Sequence, residues 1–218
     1  LLGKTPKMHR EAESVPVSAT TRLPVDVDLE QDLVRVMRFP AVGSKSFLIT
    51  VGDRSVGGLV ARDQMVGPWQ VAVADVGVTA SSYSGYHGEA MAMGERTPVA
   101  LLHGAASGRM AVGEALTNLV WARATALEDV RCSANWMWAA KLPGEGADLY
   151  DAAVAMSDLM VELGMAVDGG KDSLSMAARA PLGDGGEEIV KAPGALVIST
   201  YVSCPDITQT VTPSLDLP

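Results

Sequence analysis

Two oxygen-bearing side chains, Glu114 and Asn118, stand four residues apart in an otherwise mostly apolar segment. If this segment is helical, both lie on one helix face, because each residue advances an α-helix by about 100° and about 1.5 Å. A carboxylate and an amide oxygen held together suit a hard cation such as Mg²⁺, above all one that also binds phosphate. A solvated Glu and a polar Asn on a surface helix explain the same pair and are the commoner case.

The element that must hold this pair is a long helix, predicted over residues 107–124. Ser107 is its expected N-cap, since serine side chains accept hydrogen bonds from first-turn N–H groups. Apolar residues follow at roughly helical spacing and would face a core. They are Met110, Leu116, Leu119 and Val120.

A third candidate, Asp75, lies within the apolar run 70–79, which predicts a strand. A carboxylate buried among valines and alanines is unfavourable unless a positive group meets it. Asp75 is therefore a candidate ligand-binding residue. A structural ion pair with Arg54 or Arg109 would explain the same pattern, and composition leaves both readings open.

Two glycine-rich segments could bring cations to an anionic ligand. Residues 52–70 carry Arg54 and Arg62, and residues 168–173, DGGKDS, carry Lys171. DGGKDS is predicted to be a turn entering a strand, and it lacks the spacing of a Walker loop or a dinucleotide fingerprint. Exposed backbone N–H groups beside a lysine can still hold an anion. Ordinary ion-paired loops and structural turns remain open for both segments.

The composition is that of an ordinary globular protein: 218 residues, 48% hydrophobic and 20% charged. Seventeen basic and 26 acidic residues give a net charge of −9 without a basic run, which disfavours general nucleic-acid or anionic-membrane binding. No apolar run or signal-peptide pattern indicates membrane insertion or export, so a cytoplasmic location is expected. Cys132 and Cys204 match no metal or redox spacing and are expected to be buried thiols.

Strands and helices alternate along the chain, which indicates an α/β fold. Strands are predicted over residues 46–51, 70–79, 88–93, 98–102, 129–136 and 195–202, and helices over 29–38, 107–124 and 149–163. In the first helix, Asp26 or Asp28 would be the cap. Four apolar residues of that helix are expected to face a core: Leu29, Leu33, Val36 and Met37.

Seven strings occur in order over residues 45–203. They are DRSVGGLVARDQMVGPWQ, VAD, GEAMAMGERTPVALL, AVGEALTN, SANWM, LPGEGADLYDA and GGKDSLSM. With these strings the chain resembles the large phosphoribosylformylglycinamidine synthases of purine biosynthesis, in the amino-terminal half of their second aminoimidazole-ribonucleotide (AIR)-synthetase-like repeat. The unbroken order of the strings argues against another enzyme of the same superfamily.

The resemblance implies an α/β (α+β) fold like the AIR-synthetase amino-terminal domain. In that fold helices pack on one face of a mixed sheet, which forms a barrel-like pseudo-dimer with a partner half. Residues 1–28 would be a linker from the preceding repeat, 29–203 the domain itself, and 204–218 a connector to a missing carboxy-terminal half. A stretch near residues 182–188 departs from the family pattern as a loop insertion.

The activity implied by the resemblance converts formylglycinamide ribonucleotide, ATP and glutamine to formylglycinamidine ribonucleotide, ADP, phosphate and glutamate. Phosphoryl transfer would activate the amide oxygen before ammonia from a glutaminase domain attacks. The implied partners are the first AIR-synthetase-like repeat, the carboxy-terminal half and the glutaminase domain of the same polypeptide. This piece alone would make no product, and neither cysteine resembles the glutaminase nucleophile.

The resemblance also implies site residues and the cofactors Mg²⁺ and ATP or ADP. Asp75, Glu114 and Asn118 match metal ligands of the family, and Ala74 matches a nucleotide-contacting position. Further candidate phosphate or substrate contacts lie inside the matching strings: Arg54, Arg62 and Lys171. The site resembles an auxiliary nucleotide site, because the catalytic one draws on the other pseudo-symmetric half. A non-catalytic structural or assembly module is the alternative.

Overall fold

Ten strands and five α-helices form the part of the chain that the computed structural model describes, residues 12–15, 27–40, 42–51, 58–183 and 185–213. The strands are β1 (Val60–Arg62), β2 (Met65–Val66), β3 (Ala72–Val73), β4 (Val76–Ala80), β5 (Gly88–Glu95), β6 (Arg131–Met137), β7 (Ala166–Ser173), β8 (Ala177–Pro181), β9 (Glu187–Lys191) and β10 (Ala195–Cys204). The helices are α1 (Leu29–Arg38), α2 (Ser46–Val51), α3 (Thr97–Ala100), α4 (Gly104–Leu119) and α5 (Glu145–Leu163).

A six-stranded mixed sheet with the strand order β1-β4-β5-β10-β6-β7 is the centre of the fold. Its neighbours are antiparallel except β6 and β7, which are parallel and are joined through α5. The strands β2 and β3 form one separate antiparallel pair, and β8 and β9 form another. The expected mixed α/β architecture is confirmed.

Helix α4, with α5 packed against it, covers one face of this sheet. Along β5 every second residue is buried, and along β10 the buried residues likewise alternate, as a sheet with one covered face requires. Helix α4 lies against β5 and β10, and α5 lies against α4. The opposite face of β5 is open, since Met91 and Met93 are 41% and 58% exposed. The fold therefore has one covered and one open sheet face.

Close backbone contact fixes the position of α4. A Cβ atom on Gly94 of β5 would lie 2.2 Å from the carbonyl oxygen of Ala111 and 2.4 Å from the backbone nitrogen of Ala115. On the other side of α4, a Cβ on Gly108 would lie 2.6 Å from the carbonyl oxygen of Ala152 in α5. Only glycine permits these approaches, so α4 is held between β5 and α5 by backbone contact.

Both ends of α4 differ from the predicted range 107–124, because the helix begins at Gly104 and ends at Leu119. The N-cap is His103, whose Nδ1 accepts from the Ala106 N–H at 3.3 Å. Ser107, predicted to be the cap, is buried in the first turn and donates to the Gly104 carbonyl at 2.7 Å. The Gly104 N–H is instead bound by Asp148 of α5 at 3.0 Å. Two acceptors, the local His103 and the tertiary contact Asp148, thus bind the first turn in place of Ser107.

Asp148 lies half-buried at this junction between α4 and α5. Burial raises the pKa of its carboxyl group, and the hydrogen bond from Gly104 partly opposes that rise. A Cβ on Gly104 would lie 2.2 Å from Oδ1 of Asp148, so the glycine is what lets the carboxylate reach the helix end. The acid and the glycine together define where α4 begins.

Two predicted strands are helical. Residues Ser46–Val51 form α2, with the Ser44 hydroxyl accepting from the Ser46 N–H at 3.3 Å. A six-residue apolar run does not distinguish a strand from a short helix by periodicity. Residues 98–102 lie in and after α3, where Pro98 occupies the first turn, a position that needs no N–H donor.

Two further predictions on the sheet are corrected. The run 70–79 is not one strand, because the chain bends at Asp75 between β3 and β4. There the Ala74 N–H donates to the Gln64 carbonyl at 2.8 Å instead of continuing a ladder. The DGGKDS segment is not a turn entering a strand but lies within β7, paired in parallel with β6. The stretch near residues 182–188, predicted to be a loop insertion, contains the connection of the β8–β9 hairpin.

Other predictions are confirmed with shifted ends. The strands over 129–136 and 195–202 are β6 and β10, and the helix over 149–163 is α5, which begins at Glu145. Helix α1 has Asp28 as its N-cap, with Oδ1 accepting from Gln31 N–H at 3.1 Å, while Asp26 lies outside the described residues. The apolar residues of α1 are exposed, so the expected core contact is wrong.

Both cysteines are buried free thiols, as expected. Burial raises the pKa of Cys132 to about 11 and also raises the pKa of Cys204. Both thiols therefore stay protonated near neutral pH and are poor nucleophiles. Among the helices of the described ranges, none is long and apolar enough to cross a membrane.

Gly94→Ala is expected to destabilise the fold by about 2–4 kcal/mol, because its new methyl group meets the backbone of α4 and the helix must shift. Gly113→Ala is the matched control, since a Cβ there meets nothing within 4 Å. It should stabilise by about 0.5–1 kcal/mol through higher helix propensity. Urea unfolding of both variants measures the two effects, and equal midpoints would contradict the close α4–β5 contact.

Candidate functional site

The side chains of Glu114 and Asn118, both on α4, face the C-terminal end of β5. Asn118 donates its side-chain N–H to the Met93 carbonyl at 2.8 Å. Glu114 accepts from the Glu95 backbone N–H, with 2.7 Å between Oε2 and nitrogen. The spacing prediction that both side chains share one face of a helix is therefore confirmed, and that face lies over the end of β5.

The end of β5 needs these side chains because β4 does not reach it. The pairing of β4 with β5 runs from Val76 opposite Ala92 to Ala80 opposite Gly88. Met93 and Glu95 lie beyond it, and α4 binds backbone groups there. The two side chains give these water-exposed backbone groups the hydrogen-bond partners that β4 does not supply. This is a structural role for both residues.

Asp75 lies at the same end of the sheet. It precedes Val76, the first residue of β4, whose partner Ala92 adjoins the Met93 that Asn118 binds. Contrary to the prediction, the Asp75 side chain is exposed, because the bend at this residue turns it away from the core. Because an exposed carboxylate needs no structural counter-ion, its position gives no reason to expect an ion pair with Arg109.

Ala74 and Asp75 line a small pocket of 130 Å³. Its other walls are Val73, Val76, Trp121, Val211 and Pro213. Trp121 follows directly after α4, so the pocket joins the start of β4 to the helix end that carries Asn118. A whole-ligand pocket usually measures about 300–1,000 Å³, so this one accommodates only part of a nucleotide-sized molecule.

The second oxygen of Glu114 contacts a cation. Arg96 places Nη2 at 3.0 Å from Oε1, with the Arg96 and Glu114 side chains 44% and 25% exposed. The neighbouring Glu95 carboxylate accepts from the Thr97 hydroxyl at 2.6 Å and the Thr97 N–H at 2.8 Å. The hydroxyl bond is the main cause that lowers the pKa of Glu95, so this acid is ionised at neutral pH.

The donor chemistry fits a hard cation bound together with phosphate. In the described part of the chain, no three Asp, Glu, His or Cys side chains are grouped to hold a metal. Two carboxylates and an amide, those of Asp75, Glu114 and Asn118, are oxygen ligands of the kind Mg²⁺ prefers. Because Asn118 uses its nitrogen on Met93, its Oδ1 is the end that could ligate a metal. Phosphate oxygens would have to complete the coordination.

Of the remaining candidate cations, Arg62 lies near the small pocket and Lys171 lies away from it. Arg62 of β1 donates to the Thr210 carbonyl at 3.4 Å, next to the Val211 that lines the small pocket. Lys171 donates to the Ser173 hydroxyl at 2.7 Å on the edge strand β7, which β10 and β6 separate from β5. Lys171 is therefore not part of the α4–β5 cluster. Arg54 lies outside the described residues.

Two residues near the cluster were not singled out from the sequence. Arg96 lies in the GERTP string, but eighteen positions separate it from Glu114, so its contact is tertiary. Trp121 was read only as part of the helix, although it lies beyond the end of α4. For Arg96, the sequence offered one signal, its position beside the acid Glu95 at the end of a strand.

Comparisons with known proteins agree on one family for this chain. A family model described as FGAR-AT PurM_N-like domain matches residues 44–203. Phosphoribosylformylglycinamidine synthase of Dictyostelium discoideum is 60% identical over 185 residues, covering 85% of this chain and 14% of that protein. The Homo sapiens protein of the same name is 54% identical over 219 residues, covering 100% and 16%. The chain thus spans about one seventh of these relatives.

Solved structures agree on the fold. The structure of PurLQS from Thermotoga maritima has a TM-score of 0.55 at 16% identity and covers 78% of this chain and 25% of that one. T. maritima PurL complexed with ADP has a TM-score of 0.54 at 16% identity, with 79% and 25% covered. At this identity the likeness concerns the fold alone.

Asn118→Leu is expected to destabilise the chain by about 1–2 kcal/mol, because the Met93 carbonyl loses its donor at the strand end. Thr117→Val is the matched control on the preceding residue: its exposed hydroxyl donates to the Glu114 carbonyl of its own helix, at 2.9 Å. The control should change stability by less than about 0.5 kcal/mol. Urea unfolding compares them, and a loss no larger than in the control would contradict the structural role of Asn118.

Proposed function

Because this chain belongs to the family of FGAR-AT PurM_N-like domains, we propose that it forms part of the synthetase region of a phosphoribosylformylglycinamidine synthase. The reaction would convert formylglycinamide ribonucleotide, ATP and glutamine to formylglycinamidine ribonucleotide, ADP, phosphate and glutamate. Relatives with that name at 54% and 60% identity support this proposal. The chain would be one domain of the ATP-dependent ligase and would make no product alone.

The role proposed for this domain is to supply the protein ligands of a Mg²⁺–nucleotide site. One observation carries it: Glu114 and Asn118 converge on the end of β5 beside the point where Asp75 enters β4. The ligands would be Oε1 of Glu114, Oδ1 of Asn118 and the exposed carboxylate of Asp75. Ala74 shares the 130 Å³ pocket with Asp75 and would contact the nucleotide.

Mg²⁺ bound there would neutralise the charge of the nucleotide phosphates. The chain contributes the groups that orient it: Asn118 is fixed by its bond to Met93, and Glu114 by its bond to Glu95. Asp75, at a bend in the chain, is free to turn toward a cation. Since the pocket accommodates only part of a nucleotide, we assign the remaining contacts to another part of the protein. The nucleotide proposed here is an auxiliary, tightly held one, as the family resemblance implies.

Partner domains would cover the surfaces that this chain leaves open. The open sheet face carries exposed Met91 and Met93 and is proposed to pair with the equivalent half of the first AIR-synthetase-like repeat in a barrel-like pseudo-dimer. Residues 204–218 would lead to a carboxy-terminal half near the small pocket, and a glutaminase domain would deliver ammonia. Lys171 and Arg62 are further proposed contacts to substrate or phosphate.

The domain limits and location are proposed likewise. Residues 29–203 would be the domain and 1–28 a linker, and the family match over 44–203 is compatible with these limits. A cytoplasmic location is proposed for this protein. An Arabidopsis thaliana relative, 55% identical over 221 residues, is named a probable phosphoribosylformylglycinamidine synthase, chloroplastic/mitochondrial, so compartment differs among relatives.

A non-catalytic structural module is the second candidate. It is favoured by the bonds that Glu114 and Asn118 already make to the β5 backbone, which explain both residues without a ligand. In that case the oxygen cluster would serve packing alone. Nucleotide binding distinguishes the two candidates.

Calorimetric titration of MgADP into the intact protein tests the proposal. The intact protein should bind MgADP, or retain ADP through purification, and Asp75→Ala combined with Glu114→Ala should lose that binding while remaining folded. Lys141→Ala, an exposed change outside the cluster, is the control and should bind normally. Equal binding by the double variant would reject these ligands and leave the structural module as the better account.

A further inference from the structure

The two oxygens of Glu114 are held by groups of different mobility. Oε2 accepts from the backbone N–H of Glu95 at 2.7 Å, and that N–H is part of a strand. Oε1 is held by the Arg96 guanidinium at 3.0 Å, on a side chain that is 44% exposed. Only the guanidinium can leave without disturbing the sheet. Oε1 is therefore the oxygen that a metal ion can take, and Arg96 is the group it must displace.

The backbone of Arg96 stays in place when its side chain moves. Its carbonyl accepts from the Val99 N–H at 3.0 Å and the Ala100 N–H at 3.3 Å, so α3 is anchored to it. Its neighbours are also held, since Thr97 binds the Glu95 carboxylate through both its N–H and its hydroxyl. Any rearrangement is confined to the arginine side chain. A displaced guanidinium consequently remains beside the carboxylate that it leaves.

The chemistry of the incoming ligand matches what the displaced group can bind. Mg²⁺ bound with a nucleoside polyphosphate carries phosphate oxygens whose negative charge exceeds that of the metal. A guanidinium presents a planar set of N–H donors that suits phosphate in two-point contact. The carboxylate of Glu114 and the phosphate oxygens would thus compete for Arg96. Mg²⁺ bound to Glu114 would favour the contact between Arg96 and phosphate.

We propose that Arg96 is a phosphate-binding residue of this site, which pairs with Glu114 in the nucleotide-free protein and transfers to a phosphate oxygen when Mg²⁺ takes Oε1. The inference rests on the proposed Mg²⁺–nucleotide function and extends it to a residue outside the predicted ligands. In the nucleotide-free state Arg96 keeps Glu114 oriented and offsets its charge. In the bound state the same side chain recognises the polyphosphate.

If Arg96 were only a structural counter-ion, its removal would change the affinity for MgADP in the opposite direction. If Arg96 only pairs with Glu114, it competes with Mg²⁺, and its removal would free the carboxylate and tighten MgADP binding. If it also binds phosphate, its removal weakens MgADP binding. The sign of the change in affinity therefore separates the two roles.

The test is calorimetric titration of MgADP into the intact protein, stripped of metal and nucleotide with EDTA, and into three variants. Arg96→Gln should bind roughly 10- to 100-fold more weakly, the loss expected for charge-assisted hydrogen bonds to phosphate. Arg96→Lys keeps the charge but not the planar donors and should lie between. Arg179→Gln is the matched control, because Arg179 also pairs with a glutamate, Glu187, at 3.4 Å on the distant β8–β9 hairpin. It should bind like the unsubstituted protein.

Unchanged or tighter MgADP binding by folded Arg96→Gln would overturn the proposal while leaving the proposed function intact. Failure of the unsubstituted protein to bind MgADP would overturn both. Thermal unfolding without nucleotide verifies that each variant is folded. If Arg96→Gln does not fold, Arg96→Lys decides: weaker binding than in the control supports phosphate contact, and equal or tighter binding rejects it.

Discussion

The contact between α4 and Gly94 is the constraint on which the rest of this structure depends. With no side chain on Gly94, the helix backbone at Ala111 and Ala115 lies directly on β5. The next turn of α4 then places Glu114 and Asn118 over the strand end, where β4 has not yet begun to pair. A displaced helix would move both side chains relative to the strand end, so backbone packing sets the geometry of the oxygen cluster.

The structural role of Glu114 and Asn118 is compatible with the ligand role proposed for them. Glu114 and Asn118 each use one polar atom to bind the β5 backbone, and the proposed metal ligands are their other oxygens, Oε1, which contacts Arg96, and Oδ1. Atoms fixed by a strand cost little reorganisation when a metal arrives, which favours binding. Asp75 differs, because it stands exposed at a bend and must be positioned by the ligand itself. The proposed site would thus be preorganised on the helix side and adaptable on the strand side.

The features that the sequence predicts correctly are those that depend on interactions between residues close together in the chain. The shared face of Glu114 and Asn118 depends on helix periodicity alone, and it was predicted correctly, as were β10 and α5. The exposure of Asp75 depends on the bond between Ala74 and Gln64. The start of α4 at Gly104 depends in part on Asp148 from another helix. Neither partner can be read from local pattern. The Arg96–Glu114 pair was missed for the same reason, whereas family resemblance correctly supplied the mixed sheet.

The most direct test of a metal bound by α4 and the start of β4 is the structure of the intact protein with Mn²⁺ and ADP, with the metal located by its anomalous scattering. Mn²⁺ takes oxygen ligands as Mg²⁺ does. We expect one peak within bonding distance of Asp75, Glu114 and Asn118, with Arg96 turned from Glu114 to a phosphate. A nucleotide-bound metal elsewhere, with Glu114 still paired to Arg96, would contradict this account.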